Sequence, residues 1–290
     1  MFDGHWHKLS SHSITIAEKD RHIDDLERSL ERNFVRYCDP LVPLHTLCSI
    51  AARGAVSGMR LRAHHPRQYP DGGASLPQEE KDWLFSLSRR IVEYDNLCHK
   101  TPAMRRFLWH VRVYFQWHSL IYLLSELRVK RTGEESDQVW QQIEDVYYNH
   151  TEMLTDRRYV LHNAIGSLTL KAWDAREAEH QRLGIPLQQP EFMSKLRAFK
   201  ATDAKAGRDQ ENAEKAEQVV AGGDPSPLGG HGAWGASYDI PDMPSQGFSN
   251  TIGGTLTEPT PMDWTLWDNL LQEFDMPVTN PLVFGAPPNI

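Results

Sequence analysis

Apolar side chains in this chain recur at spacings of three and four, in stretches separated by proline, and no stretch alternates apolar with polar residues as a half-buried strand does. That pattern admits a stack of amphipathic helices and little else. Ile23, Leu26, Leu30, Phe34 and Tyr37 predict a helix from Asp20, with Asp24, Glu27, Arg28, Glu31 and Arg32 on its other face and Asp39-Pro40 and Pro43 as its stop. A second helix is expected over Leu44–His64. Its small residues (Ala51, Ala52, Gly54, Ala55, Ser57, Gly58) suit close approach to neighbours and a central place in the bundle. The turn Pro70-Asp71-Gly72-Gly73 follows.

Pro77 and the acids after it mark a third start, with Trp83/Leu84, Leu87, Ile91, Tyr94 and Cys98 on one face. Thr101-Pro102 opens a fourth helix, aromatic and apolar nearly all round (Phe107, Leu108, Val111, Tyr114, Phe115, His118, Ile121, Tyr122, Leu124), read as one long buried element. Ser136 is taken as the cap of a fifth, carrying Val139, Trp140, Ile143, Val146 and Tyr147. A sixth runs from Asp156 to Arg182 through Leu161, Ile165, Leu168 and Trp173, closed by Gly184-Ile185-Pro186. Phe192, Met193, Leu196 and Phe199 begin a seventh, whose continuation over 201–217 has no apolar stripe and reads as a solvated, marginal helix.

Composition then changes. After Lys215 there is no Lys or Arg, and residues 217–290 hold nine acids. Removing those nine from the net charge of −8 leaves the first 216 residues at +1, so the acidity belongs to the tail. Glycine and proline dominate from Ala221 onward, and such a segment cannot bury enough apolar area to offset its ordering entropy. The fold class expected is therefore all-α: an irregular segment 1–17, a helical bundle 18–200, the marginal helix 201–217 and a disordered acidic tail 218–290 with one short amphipathic helix at 263–275.

Several function classes find no footing. No apolar run reaches the roughly 18–20 uncharged residues that span a bilayer, and the opening MFDGHWHKLS has no apolar leader, so a soluble intracellular protein is expected. Cys38, Cys48 and Cys98 contain no C-x-x-C pair and read as reduced thiols. Nucleophile elbow, phosphate loop, dinucleotide fingerprint and H-E-x-x-H are all missing, so no catalytic residue is assigned. Asp24-Asp25 begins an aspartate-rich prenyl-diphosphate motif, but Arg28 stands where its third acid belongs. The pairs His5/His7 and His64/His65 have no carboxylate or thiol at helical spacing, so no metal ligand is assigned either. Arg53, Arg60, Arg62, Arg67 and the two histidines beside them read as a salt-bridged face of a neutral body rather than a DNA-binding surface.

The runs YCDPLVPLHTL (Tyr37–Leu47), MRLRAHHPRQYPDGGASLPQE (Met59–Glu79), YFQWHSLIYLLSEL (Tyr114–Leu127) and VWQQIEDVY (Val139–Tyr147), in that order, resemble the C-terminal half of the fungal-specific transcription factor domain. This is the helical regulatory region of zinc binuclear cluster regulators, and the resemblance covers residues 18–180. It implies a nuclear protein regulating RNA polymerase II genes, with DNA reached only through an N-terminal six-cysteine cluster holding two zinc ions. That cluster has no counterpart here, so neither zinc nor DNA-binding residues are assigned and no cofactor is expected. The alternative within the resemblance is a short adaptor or dominant-negative paralogue that binds cofactors or a full-length relative. An enzyme in a helical fold is a distant third.

The remaining candidate site is DWTLWDNLLQEF. On a helix Trp264, Trp267, Leu271 and Phe274 share a face, with Leu270 beside them; Asp263 is the expected cap and Pro277 the stop. Two readings are open: an activation helix that folds into a coactivator groove, or a helix that docks its aromatic face on the chain's own bundle.

Overall fold

The computed structural model describes residues 14–69, 71–156, 160–202 and, further on, Trp264, Leu266, Trp267 and Asn269. Every regular element among them is helical, so the fold class is all-α. Helix α1 spans Ile16–Asn33 and starts earlier than the apolar stripe suggests, because Thr15 and Glu18 form a reciprocal capping box. Phe34 leaves the helix at φ −134°, ψ −60°, so Phe34 and Tyr37 do not extend the buried face and stay 64% and 67% exposed.

Pro43 begins helix α2 (Pro43–His64) rather than ending its predecessor; in a first turn its missing N–H costs nothing. Helix α2 lies between α1 and helix α3 (Gln78–Lys100). Its Val56, Met59 and Ala63 form a small cluster with Ile23, and only Leu61 reaches the main core. The expected central place is therefore partly realised: α2 is sandwiched, but the main core lies beyond it. The basic residues here are largely paired, Arg60 with Asp24 and Glu27, and His64 between Asp20 and Glu80.

The long aromatic helix is broken. A 3-10 turn (Pro102–Phe107) leads into short helix α4 (Leu108–Val113), residues 114–116 are non-helical, and helix α5 (Trp117–Leu127) follows. On a continuous helix residues two apart point about 200° away from each other. The break lets Phe115 and Trp117 both face inward, 7% and 8% exposed with ring centroids 4.6 Å apart. Trp109, Val113 and Tyr114 are left outside, 71%, 72% and 63% exposed. Only the α5 half is the enclosed helix the sequence suggested, with Leu120, Ile121, Tyr122, Leu123, Leu124 and Leu127 all buried. Each such leucine contributes on the order of 2–3 kcal/mol.

Helix α6 (Glu134–Asn149) starts from Gly133 at φ +106°, three residues before the expected cap. Ser136 instead sits inside the first turn, donating to the Lys130 carbonyl and accepting from the buried Arg176 guanidinium. After the single turn α7 (Glu152–Thr155), helix α8 (Val160–Leu183) packs on α5 and ends where Gly184, at φ +68°, lets the Ile185 amide reach the His180 carbonyl. Helix α9 covers 191–202; its Phe192 stacks on Tyr147 at 4.6 Å, and Met193 and Leu196 are buried beside it. The expected marginal continuation of α9 lies outside the described residues from position 203 on.

Helices α3, α5, α6 and α8 enclose the main core. Along α3 and α6 a polar seam runs beside it. Asn96 donates to the Gln142 carbonyl and accepts from Asn149, both at 3.0 Å, and Lys100 pairs with Asp145 at 2.6 Å. No described helix is long and apolar enough to cross a membrane.

Candidate functional site

Two places gather chemistry-bearing residues. The first is a cleft where α2 ends. His65, extended at φ −60°, ψ 141°, caps the 3-10 turn Pro66–Gln68 and turns its ring inward, 2% exposed. Facing it from α5 are His118 and Tyr122, with ring centroids 6.3 and 6.0 Å away. Trp264 packs edge-on against His65 at 4.4 Å and lies parallel to Tyr122 at 6.2 Å. Trp264 and Trp267 are 9% and 6% exposed and belong to the main core, Leu266 is half-buried and Asn269 is exposed. Leu270, Leu271 and Phe274, with the expected cap Asp263 and stop Pro277, lie outside the described residues.

Burial, then the charge of Arg67, holds the basicity of His65 well below its usual range and brings that of His118 down to about 3. Arg67 donates to His118 Nε2, which suits a neutral ring. At neutral pH both imidazoles are thus neutral, and with Tyr122 they form an aromatic surface that stacks on indoles, edged by the Arg67 guanidinium.

The second place lies at the other end of α3. Asp95 and His99 are one helical turn apart on α3, and His150 is the residue at which α6 ends. Their side chains are 8%, 5% and 1% exposed. His150 Nε2 is 2.9 Å from Asp95 Oδ2, and His150 Nδ1 is 3.3 Å from Glu152 Oε1. His99 Nδ1 donates to the Asp95 carbonyl at 3.0 Å and lies 3.4 Å from Asp95 Oδ2. Burial opposes charge here, but hydrogen bonds to Asp95 and Glu152 outweigh it and raise the basicity of His150 to about 9. In the same way burial would raise Asp95, and the two histidines hold its carboxyl below the usual range instead. One atom from each of Asp95, His99 and His150 lies within 4.8 Å of the others, so this trio has the spacing to hold a metal ion. No metal ligand is assigned from the sequence, where the closest histidine pairs, His5/His7 and His64/His65, lack a carboxylate or thiol at helical spacing and His118 reads as a core histidine. Asp95-x3-His99 was the visible half of the signal, and His150 is 51 positions further along.

Beside this cluster an apolar cavity of about 280 Å³ is lined by Leu47, Tyr94, Cys98, Phe115 and Asp95 itself, among others. The three cysteines do not fit a six-thiolate zinc cluster: Cys38 is half-buried, Cys48 exposed and Cys98 buried, with its thiol pushed up to about 11 by burial and by Asp95.

Compared with known proteins, the chain is 30% identical over 259 residues to the aurofusarin cluster transcription factor of Gibberella zeae, covering 86% of this chain and 38% of that one. It is 22% identical over 258 residues to the transcriptional regulator nsrM of Aspergillus novofumigatus (83% and 36%). It is 27% identical over 139 residues to the C6 finger domain transcription factor nscR of Arthroderma otae (46% and 20%). The chain's homologues are fungal C6 zinc-finger transcription factors, matched over a partial region, and they are transcription factors rather than enzymes. The chain spans less than two fifths of the length of these relatives. No family model and no solved structure matches it.

Proposed function

We propose that this chain is the regulatory and effector portion of a nuclear fungal transcription factor acting on RNA polymerase II genes through protein contacts, and that the segment around Trp264 and Trp267 is its effector. The relatives, transcription factors of biosynthesis clusters among them, support the first half of this reading. The burial of Trp264 against His65 and Tyr122 carries the second. Acidic residues between aromatic ones make a segment that can fold into a coactivator groove. In this chain Trp264 packs on the aromatic cleft of the bundle, and Trp267 is buried in the main core. Bundle and coactivator compete for one face, and release from the cleft exposes the effector.

A reporter assay with an unrelated DNA-binding domain tests both parts. Residues 255–290 fused alone should activate, and Trp264→Ala with Trp267→Ala should silence that fusion. The full chain in the same fusion should activate several-fold less, with His65→Ala restoring activity. An inert 255–290 fusion removes the effector assignment. Equal activity of the short and full fusions removes the competition.

A further inference from the structure

We infer that Asp95, His99 and His150 bind a divalent transition-metal ion of the zinc type, at a nitrogen–oxygen site distinct from any thiolate cluster. The inference stands on this cluster alone and is independent of the effector reading above.

Spacing is the first argument. Ligands about 2.0–2.1 Å from a tetrahedral zinc ion lie roughly 3.3 Å from one another. Here Asp95 Oδ2 is 2.9 Å from His150 Nε2 and 3.4 Å from His99 Nδ1, and the trio closes within 4.8 Å. The trio closes only to within 4.8 Å, wider than the roughly 3.3 Å of a bound set, so the imidazoles must turn inward on their side-chain torsions to seat an ion.

Unpartnered lone pairs are the second. Asp95 Oδ1 has no hydrogen-bond partner although its side chain is nine-tenths buried. A carbonyl can only accept, so His99 Nδ1 carries the hydrogen it gives to Asp95, and in the neutral ring Nε2 is a bare lone pair; it too is buried without a partner. The cluster thus holds an excess of acceptors in a place where unpaired polar atoms are costly, and such atoms ask for an ion or a donor. An ion held by the Asp95 carboxylate would take the His99 lone pair as well, either by the ring turning Nε2 inward or by Nδ1 giving up its bond to the Asp95 carbonyl and its hydrogen moving to Nε2.

Supporting groups and donor type complete the case. His150 presents Nε2 to the site while its Nδ1 faces the Glu152 carboxylate, the arrangement in which an outer carboxylate orients a metal-bound imidazole. The ion takes the place of the proton on His150 Nε2, which leaves to solvent. Two imidazoles and one carboxylate suit zinc, cobalt or nickel rather than calcium or magnesium, which prefer oxygen alone. Three protein ligands leave one position for water, and the neighbouring cavity, whose wall includes Asp95, supplies room for it.

The test uses the purified full chain, stripped with a chelator and titrated with cobalt(II) at neutral pH. One equivalent should produce the visible absorption of a tetrahedral cobalt site and be displaced by zinc. Glu152→Gln, which leaves all three ligands in place, should weaken cobalt affinity by about 10–100-fold. His150→Gln and Asp95→Asn should weaken it further, whereas His5→Gln with His7→Gln should leave it unchanged. A wild-type chain that gives no cobalt absorption overturns the site and leaves the lone pairs to a water molecule. So does absorption that is the same in Glu152→Gln and in every ligand variant that folds.

Discussion

The two histidine clusters of this bundle use the same side chain in opposite ways. At the α2 end, His65 and His118 face rings and arginines, lose basicity and become part of an aromatic surface. At the far end of α3, His150 sits between two carboxylates and gains it. Burial is common to both, so burial does not decide the role of a histidine; the sign of the nearest charge does. One cluster is dressed to receive an indole, the other a cation.

The sharpest way to break this contrast is to remove the carboxylate. Asp95→Ala takes one of two carboxylates from the buried His150; with Glu152 still facing it, the loss should fall at the lower end of the about 3–5 kcal/mol that breaking a buried pair costs. Chemical denaturation of the metal-free chain should register that loss. The equivalent removal in the cleft, Arg67→Ala, takes a cation away from two neutral rings and a hydrogen bond from His118 Nε2, and should cost less, about 1–3 kcal/mol.

Acid separates the clusters next. A histidine whose folded basicity lies below its unfolded value of about 6.5 binds its proton more readily in the unfolded chain. Its contribution is therefore fully present above pH 6.5 and is lost as pH falls toward 3, the value His118 reaches. Each such group adds a slope of up to about 1.4 kcal/mol per pH unit. Stability of the His118→Gln variant, followed by denaturant midpoint between pH 6.5 and 4, should fall less steeply than that of the parent chain.

The smallest effect tests the joint beside the cleft. Gly73 stands at φ +86°, and a Cβ there would lie 2.5 Å from Pro66 Cβ, next to the turn that orients His65. Gly73→Ala should cost about 1–3 kcal/mol and loosen the Trp264 contact, seen as a red shift of tryptophan emission. Gly133→Ala, also at positive φ but with open space around it, should cost about 1–3 kcal/mol from backbone strain alone and leave the emission unchanged.

Much of the scaffold was legible before the structure, because proline starts and apolar stripes are local signals. Leu84, Leu87, Ile91 and Cys98 are buried as their spacing implied, and so are Val139, Trp140, Ile143, Val146 and Tyr147. The capping box at Thr15 was also there to be read. What stayed hidden depends on contacts distant in sequence. Periodicity through residues 107–124 does not betray the break at 114–116, since an aromatic run fits one buried helix or two helices with a kink. Asp95 and His150 meet only because α3 and α6 lie side by side, and no spacing announces that. Trp264 and Trp267, expected on one aromatic face, are both buried, but nothing in the run itself tells which partner covers them.

The seam of Asn96, Asn149, Gln142, Lys100 and Asp145 has a mechanical consequence. Leucines and valines on two facing helices tolerate a slip of one turn, about 5.4 Å, with modest change in buried area. Amide pairs do not: such a slip would part Asn96 from both its present partners, the Gln142 carbonyl and the Asn149 amide, and Lys100 from Asp145. The pair α3–α6 is thereby keyed rather than greased, and a force applied at one end of the bundle is passed along it as by a rigid strut.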